Sequence, residues 1–397
     1  MTAYYLSEAN LDVTVVEKNS ILSGITSKLN GKICLNQGIF HETINNYGYK
    51  MAKNYYDYTI MAQQEYKRII SELNIDCEFK KEESYLYSIT DNEFIKNEKE
   101  ALESLDKKVY QDENFPLNLN ISNHLKIKDD YTIDIFKFLS NLPFKFKIYE
   151  NACATKIGDE VVINNMYHLT YDKLIVCTNM PPKNSKMVYT KTYASTAYTS
   201  LFKGNITNLF LEDKKEGLSI RNFKGNVVLC GLDHDTGYVD DINKFKTLHK
   251  HYETMFKKEK SLLNLSNQDV MSLDKMPLVI DDGNVITITA FNKWGLTNSI
   301  ICAKVTLELI NDEKFINPFA INRFKISFKL VRRNIGQLLK GTFNSPKIEL
   351  LSENNNRARC RHQNALLKYN TNTNQFECTA HGSTYSKDGE VKNGPAI

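Results

Sequence analysis

Apolar positions recur along much of the chain at helical spacing, about every three to four residues. The longest such stretch is Ile44–Leu73, which predicts an amphipathic helix with a break near Gly48. Met1–Leu6 indicates the end of another helix. Further helices are predicted at Asn92–Lys107, Tyr131–Leu142, His249–Lys258 and Ser299–Ile310.

Short apolar or alternating runs predict strands between these helices. Cys77–Lys81 and Ser84–Thr90 have the pattern of a hairpin, and Gly24–Gly38 is a loop rich in small polar residues. The mixture of elements predicts an α/β fold. The other predicted strands are Asp12–Glu17, Lys145–Tyr149, Glu160–Ile163, Lys173–Cys177, Asn226–Cys230 and Asn284–Ala290.

Length and composition narrow the class of protein. The 397 residues suffice for two or three domains, and the net charge of +4 is too small to indicate a nucleic-acid partner. No apolar run has the length of a membrane span, and the first residues lack the features of a secretory signal, so we expect neither. The eight cysteines are too scattered for a disulfide framework, which favours a reducing, cytoplasmic setting.

The segment 317–340 is mildly basic, and we expect a solvated linker helix there rather than a contact with a partner or membrane surface. After Ser345 the sequence changes to short strand-like runs and turns rich in Asn and Thr. We therefore predict a domain boundary near Gly341.

The C-terminal part carries two matched pairs of metal ligands. Cys360 and His362 are followed, after fifteen residues, by Cys378 and His381. Each pair offers one thiolate and one imidazole, which suits a [2Fe–2S] centre held by two Cys on one iron and two His on the other. Residues 366–376 have the pattern of a hairpin that would bring the two pairs together.

Zinc is the competing metal for these four residues. Zinc sites usually pair Cys with Cys and His with His at a spacing of about two to five residues. A Cys-x-His pair is tight for chelating one tetrahedral ion and suits two adjacent irons better.

The whole stretch Cys360–Ala396 resembles the Rieske family, since it combines C-x-H, C-x-x-H-G-S, Asp388-Gly389 and the Gly-Pro-Ala ending. The resemblance implies a small all-β domain with a [2Fe–2S] cluster. It also implies that the Ser383 hydroxyl donates to a cluster sulfide and the Tyr385 hydroxyl to a cysteine sulfur, which raises the reduction potential.

Two positions depart from many members of that family, which carry a disulfide between the two cluster loops. Ala365 and Ala380 stand at the positions of these two cysteines, so neither half of the disulfide is present. This agrees with a reducing compartment.

The N-terminal part resembles the FAD-dependent oxidoreductases of the D-amino-acid-oxidase and glycine-oxidase superfamily, and more closely a bacterial branch that fuses this domain to a Rieske domain. The resemblance rests on Val13–Lys18, on Ser23–Ser27 with Asn30–Ile33, on Leu174–Pro182, on Asp233–Gly237 and on Lys293–Thr297. It implies FAD contacts at Glu17, Lys18, Thr26, Ser27, Gly31, Cys177, Thr178, Trp294, Gly295, Leu296 and Thr297.

The resemblances together imply three regions. Residues 1–316 would form a discontinuous oxidoreductase region, with a Rossmann-like flavin-binding part at about 1–75, 150–182 and 280–316. An interleaved mixed sheet for the substrate would come from about 76–149 and 183–279. A linker helix at 317–340 and a Rieske domain at 341–397 would follow.

The glycine-rich turn that cradles a dinucleotide pyrophosphate should lie roughly twenty residues before the ribose-binding acid, here Glu17. Sixteen residues precede Glu17 and none is Gly, so the first strand and the turn would fall before Met1. We expect weak or absent FAD binding by the 397 residues alone.

The sequence therefore predicts an FAD-dependent oxidoreductase that acts on a small, amine-bearing substrate and exchanges single electrons with an unidentified donor or acceptor through the cluster. Catalytic residues are not readable, and Arg221, His234 and Tyr238 are only candidate substrate contacts. Three alternatives stay open: a flavin-free Rieske electron-transfer or binding protein, a truncated inactive product, and a structural zinc protein.

Overall fold

The fold is taken from a computed structural model of the chain. It describes residues 1–28, 31–214, 216–238, 240, 242–324, 332, 335, 359–362 and 365–396. Among these residues, no helix combines the length and the apolar character that a membrane crossing needs.

Seven α-helices lie entirely in the described residues, and they agree with much of the predicted periodicity. Gly48 separates two of them with a φ of +88°, a backbone conformation that glycine adopts readily, so the predicted break is confirmed. The helices are α1 (Thr2–Glu8), α2 (Phe40–Tyr47), α3 (Tyr49–Leu73), α4 (Asn92–Ser104), α5 (Ile135–Ser140), α6 (Lys244–Met255) and α7 (Gly295–Asn311).

The strands of the first 316 residues are short except in one large sheet. They are β1 (Thr14–Val16), β2 (Lys32–Ile33), β3 (Lys80–Ser88), β4 (Asn123–Thr132), β5 (Lys147–Tyr149), β6 (Ala154–Ile157), β7 (Val161–Ile163), β8 (Tyr167–Leu169), β9 (Leu174–Val176), β10 (Thr192–Lys203), β11 (Leu209–Glu212), β12 (Ser219–Phe223), β13 (Asn226–Asp235), β14 (Ser261–Ser272), β15 (Leu278–Asp282) and β16 (Val285–Thr289).

The large sheet has eight strands in the order β14-β10-β13-β12-β11-β3-β4-β2. β11 and β3 are parallel and the other neighbours are antiparallel, so the sheet is mixed. Three separate stretches of chain supply it: β2 is Lys32–Ile33, β3 and β4 lie between residues 80 and 132, and β10 to β14 come after residue 191. The sheet is interleaved as expected, but it also includes β2, which lies outside the ranges predicted for it.

Parallel pairing occurs in two smaller sheets. β1 pairs with β5, and β9 pairs with β16, which continues to β15 in antiparallel fashion. Helix α7 packs against both α1 and α3, and its Ile300, Ile301 and Val305 are fully buried in the main hydrophobic core. A further three-stranded sheet is formed by β6, β7 and β8.

The C-terminal part is a four-stranded antiparallel sheet in the order β17-β18-β19-β20. Its strands are Leu367–Asn370, Gln375–Cys378, Thr384–Tyr385 and Val391–Asn393. The first two form the predicted hairpin, with Leu367 opposite Cys378.

Two predicted elements are wrong. The hairpin over residues 77–90 is a single strand, β3, because its partner is the distant β4 rather than a neighbouring run. The helix predicted at Tyr131–Leu142 begins only at Ile135, because β4 extends to Thr132 and the Asp134 carboxylate caps the helix. The linker helix predicted at 317–340 lies largely outside the described residues, which there include a 3₁₀ turn at Ile321–Arg323 and two helical positions, Arg332 and Ile335.

Candidate metal centre and cofactor cleft

The β17–β18 hairpin brings the two ligand loops together. Cys360 and Cys378 are each only 1% exposed. Each loop is held by its own backbone: Cys360 N–H donates to Ala365 C=O, and Cys378 N–H donates to Ser383 C=O. The two thiols therefore face each other in a small buried cluster that also contains Ala365 and Tyr385.

The two histidines form the second pair. The rings of His362 and His381 lie 5.1 Å apart between centroids and are nearly perpendicular. In each ring the Nδ1 atom is buried and has no hydrogen-bond partner within the described residues. A buried, unsatisfied ring nitrogen costs free energy unless something binds it, and a metal ion would satisfy both.

The electrostatics of the four ligands favour a cation among them. The hydrogen-bonded Cys378 thiol lowers the pKa of Cys360, whereas the same contact and burial raise the pKa of Cys378. Burial lowers the pKa of His381 to about 3, so its ring is neutral and can act as a ligand. Without a metal ion, the two close thiols share one negative charge. Beside a bound metal ion both would ionise.

Tyr385 holds the first cluster loop. Its hydroxyl donates to Cys360 Sγ at 3.1 Å and accepts from the Arg361 N–H at 2.9 Å. This is the sulfur contact that the family resemblance implies. The Ser383 hydroxyl accepts from the Ala396 N–H at 3.2 Å and also contacts Cys360.

These residues fit a [2Fe–2S] cluster. Within the described ranges, no three His, Cys, Asp or Glu side chains surround a single ion position. The ligands are arranged instead as a thiol pair and an imidazole pair with bare Nδ1 atoms, which is the donor set that such a cluster takes.

The C-terminal sheet is packed against the end of the large sheet. Glu377 is 1% exposed and accepts from the Gly237 N–H at 2.8 Å and from Asn370 Nδ2 at 2.7 Å. Asn370 Nδ2 also donates to the Tyr198 hydroxyl at 2.9 Å. Buried polar contacts of this kind join the two parts in one fixed arrangement.

A second contact lies beside the cluster loop. Gln268 Nε2 donates to the Gly382 carbonyl at 2.6 Å. Gly382 has a φ of +74°, and a Cβ added to it would collide with the Ala194 side chain. The loop between Cys378 and Ser383 therefore lies directly on strands β10 and β14.

The predicted FAD residues near the start of the chain lie at the β1–β5 pair. Glu17 follows β1, and its carboxylate accepts from the Asn19 N–H at 2.9 Å in its own turn. Lys18 Nζ donates to the Val391 carbonyl of the C-terminal sheet at 3.2 Å. Both side chains thus have protein partners in this structure.

Thr26 and Ser27 lie in a 3₁₀ turn, where the Ser27 hydroxyl donates to the Gly24 carbonyl at 2.7 Å. Gly31 has a φ of +61°, and a Cβ there would meet the Ile133 carbonyl and the Arg221 guanidinium. The chain therefore needs glycine at this position for close backbone approach.

Cys177 and Thr178 follow strand β9. Cys177 is exposed to solvent, and the Thr178 hydroxyl donates to the Met180 carbonyl at 3.3 Å.

The predicted Trp294–Thr297 segment is the beginning of helix α7. No side chain caps this end, and the buried Thr297 hydroxyl has no hydrogen-bond partner in the described residues. The start of a 17-residue helix carries unpaired N–H groups and partial positive charge. Gly295, Leu296 and Thr297 therefore offer donors that an electron-rich part of a flavin fits.

A cluster of charged residues that the sequence did not single out lies beside Trp294. Lys293 Nζ is 2.8 Å from the Asp233 carboxylate, and Lys32 Nζ lies 5.4 Å from the centre of the Trp294 ring. Asp269 and Cys230 are close enough to affect each other's pKa and are also close to Lys293. We call Lys32, Cys230, Asp233, Asp269 and Lys293 the Lys293 cluster.

The Lys293 cluster is partly open to solvent. The Lys293 side chain keeps 36% of its surface accessible, and although burial opposes its charge, the neighbouring Asp233 carboxylate raises its pKa on balance. Burial also raises the pKa of Asp269 to about 6, so this carboxyl group is largely ionised at neutral pH. Asp233 and Lys293 each lie in a segment on which the resemblance to the FAD-dependent oxidoreductases rests. That resemblance was the signal in the sequence that could have pointed to these two residues.

The three candidate substrate contacts lie outside this cluster. Arg221 is buried, donates to the Gly31 carbonyl at 3.5 Å and has its pKa lowered by burial to about 10. His234 lies 3.5 Å from Glu377, and Tyr238 lies against Lys368, both at the contact with the C-terminal sheet.

Two family matches cover most of the chain. Residues 1–309 match the FAD dependent oxidoreductase family, and residues 352–397 match the Rieske [2Fe-2S] domain. Both resemblances inferred from the sequence motifs are confirmed, and so are the α/β oxidoreductase fold with its mixed sheet and the small all-β C-terminal domain.

Similar proteins agree with these matches. The Bacillus subtilis (strain 168) protein YhfW, described as a Rieske 2Fe-2S iron-sulfur protein, is 25% identical over all of this chain and 89% of its own length. The crystal structure of glycine oxidase from Geobacillus kaustophilus superposes with a TM-score of 0.66 at 11% identity, covering 82% of this chain and 95% of that one.

Other solved structures share the fold. L-proline dehydrogenase from P. horikoshii has a TM-score of 0.65 at 16% identity, covering 80% of this chain and 91% of its own. L-amino acid deaminase from Proteus vulgaris has a TM-score of 0.64 at 14% identity, covering 81% and 90%. At these identities the likeness establishes the fold alone.

Proposed function

Because the chain belongs to the FAD dependent oxidoreductase family and ends in a Rieske [2Fe-2S] domain, we propose that it oxidises a small amine-bearing substrate and passes the electrons singly through the cluster. Its cofactors are those of the two families, FAD and a [2Fe–2S] cluster. When bound, the flavin supplies two-electron chemistry at the amine-bearing carbon and the cluster supplies one-electron transfer.

The observation that carries the substrate proposal is the Lys293 cluster beside the start of α7. Asp269 is an anionic side chain in a cleft, and an ammonium group is its natural partner. Lys32 approaches the same cleft over the Trp294 ring and would pair with a carboxylate on the substrate. An amino acid or a related small amine has both groups.

In this proposal Lys293, unlike Asp269 and Lys32, does not bind the substrate. Its ammonium group pairs with Asp233 at 2.8 Å, which leaves Asp269 as the second acidic group of the cleft. The pair would hold the Lys293 side chain beside Trp294 and keep the charge of the cleft nearly balanced. The helix end at Gly295–Thr297 would hold the flavin, and Cys360, His362, Cys378 and His381 would hold the cluster.

The described cysteines support the proposal of a reducing, cytoplasmic location. All eight are free, and Ala365 is fully buried in the cluster loop, where many family members carry a bridging cysteine. The electron donor or acceptor outside this chain is unidentified.

The first test is the cofactor content of the full chain purified without oxygen. We expect two irons per chain and the electron paramagnetic resonance signal of a reduced Rieske centre; flavin absorption beside them would show that the 397 residues also hold FAD. Zinc in place of iron would overturn the cluster assignment. Iron without flavin would instead favour the electron-transfer or binding protein, and the absence of both would favour the inactive product.

The second test addresses the substrate. Asp269→Asn is expected to weaken the binding of small amines by about tenfold to a hundredfold, the value of one charge-assisted contact. The matched control is Asp12→Asn, which changes an exposed acid that is far from Asp269 in the sequence. Unchanged amine affinity in Asp269→Asn would rule out this residue as the ammonium site.

A further inference from the structure

Tyr189 joins the large oxidoreductase region to the two histidines of the metal centre. Its ring lies 4.3 Å from the His381 ring between centroids and meets the His362 ring edge-on at 5.4 Å. The side chain is only 3% exposed. It therefore fills the space in front of both imidazoles and covers that edge of the centre.

The hydroxyl group of Tyr189 has a defined direction. It lies 2.7 Å from the Pro181 carbonyl oxygen, which can only accept, so the hydroxyl hydrogen points there. His362 Nε2 lies 3.3 Å from the same hydroxyl oxygen. Because the hydrogen of Tyr189 is already committed, His362 Nε2 must carry the proton and donate it to the oxygen.

This direction decides which nitrogen of His362 is available. A neutral imidazole carries one proton, and a proton on Nε2 leaves Nδ1 bare. Nδ1 is the buried atom of His362 that has no hydrogen-bond partner. The hydrogen bonds from His362 to Tyr189 and from Tyr189 to Pro181 thus leave Nδ1 as the nitrogen that can bind a metal.

We propose that Tyr189 is a positioning residue for the cluster: it fixes the tautomer and the ring angle of His362, packs against the His381 ring at an interplanar angle of 40°, and covers the histidine edge with a side chain of the oxidoreductase region. This role rests on the proposed function only in requiring that the four ligands hold a cluster. It makes the histidine edge a contact with the oxidoreductase region, while His362 itself stays partly exposed.

The rest of the domain contact keeps Tyr189 in place. Gln268 holds the Gly382 carbonyl next to His381, and Glu377 holds Gly237 on the other side of the hairpin. Both contacts are buried, so the two histidines are held against Tyr189 by the whole interface. A tyrosine from a segment 173 residues before His362 thereby becomes part of its surroundings.

The purely structural alternative is that Tyr189 only fills a hydrophobic cluster with Met180 and Val188. The two roles differ in what Tyr189→Phe does. Phenylalanine keeps the ring and most of the packing but cannot accept from His362. A hydrogen bond from a ligand's second nitrogen increases the basicity of the ligand and favours the oxidised metal, so its loss should raise the reduction potential.

The experiment uses the full chain with its cluster and compares Tyr189→Phe with Tyr252→Phe. Tyr252 is equally buried, and its hydroxyl also donates to a backbone carbonyl, that of Lys203, but it lies away from the centre. We expect Tyr189→Phe to shift the reduction equilibrium by up to about tenfold, 59 mV for one electron. The resonance spectrum of the reduced cluster should change as well, and Tyr252→Phe should change neither.

Each result decides the question. An unchanged potential and spectrum in a loaded Tyr189→Phe protein would overturn the proposal without touching the cluster assignment. If Tyr189→Phe loses its iron while Tyr252→Phe keeps it, the tyrosine positions the ligands, as proposed. If both variants lose iron equally, the effect is general destabilisation and the proposal fails. A wild-type chain that never holds iron would refute the proposed function instead.

Discussion

The Gly237 N–H donates to Glu377 Oε2 at 2.8 Å, and this bond crosses from the oxidoreductase region to the C-terminal domain. Glu377 is almost fully buried, and Asn370 and His234 lie beside the same carboxylate. A buried carboxylate with several donors is costly to disturb on either side. The packing of the two domains against each other is therefore sensitive to small changes at Gly237 and Glu377.

Gly237→Ala should destabilise the contact between the oxidoreductase region and the C-terminal domain. Gly237 has a φ of +83°, and a Cβ would lie 2.7 Å from the Thr379 Cα, a backbone atom with no freedom to retreat. Gly225→Ala is the matched control, because its φ of +71° imposes similar strain while no atom lies within 4 Å of the added Cβ. We expect Gly237→Ala to lose about 1–3 kcal/mol more stability than Gly225→Ala in urea unfolding. Equal losses in the two variants would contradict the close contact.

Glu377→Ala should destabilise the same contact by about 1–3 kcal/mol for each donor left unsatisfied, those of Gly237 and Asn370. Glu377→Gln keeps the shape and one acceptor oxygen and should cost less. Thermal unfolding of the three proteins measures the difference. Glu390→Ala, an exposed acid of the same domain, should leave the unfolding temperature unchanged.

Tyr385→Phe should lower the reduction potential of the cluster. The Tyr385 hydroxyl donates to Cys360 Sγ at 3.1 Å, and such a donor stabilises the reduced, more negative state. Redox titration followed by circular dichroism gives the potential. Tyr369→Phe removes a hydroxyl from an exposed tyrosine of the same sheet and should have no effect. A potential that rises or stays constant in Tyr385→Phe would refute the contact.

Asp269→Asn should change how stability depends on pH. Burial raises the pKa of Asp269 to about 6, above the value of about 3.9 in an unfolded chain. Between these two pKa values the folded protein binds one proton more than the unfolded chain. The stability that comes from this proton is fully present below about pH 4 and is lost as the pH rises through about 6. Relative to the wild type, Asp269→Asn should gain about 1–3 kcal/mol between pH 4 and pH 7.5. Urea unfolding at the two pH values checks this, and a constant difference would contradict it.

The local pattern of the sequence predicted the elements whose causes are local. Gly48 ends one helix because of its own backbone preference, and the hairpin before Cys378 follows from two short runs and a turn. The candidate cluster ligands could be singled out because the two residues of each pair stand close together in the chain. The FAD family was recognisable because several short segments occur in the right order.

Long-range pairing accounts for what the sequence did not reveal. The stretch that forms β3 looked like a complete hairpin of two short strands, because nothing local shows that its partner begins at Asn123. Tyr189 carries no signal at all, since its role depends on His362, 173 residues later. Glu377 resembles any charged strand residue until Gly237 and Asn370 are placed around it.

The surface that receives the C-terminal domain comes from Tyr189, Ala194, Gly237 and Gln268, all of which precede Cys360 in the chain. During synthesis on a ribosome, earlier parts of a chain emerge and fold first. The receiving surface can therefore exist before the first ligand cysteine is made. Iron would then be delivered to a nearly finished protein, and the maturation machinery must reach the ligands before the last strands close against Tyr189.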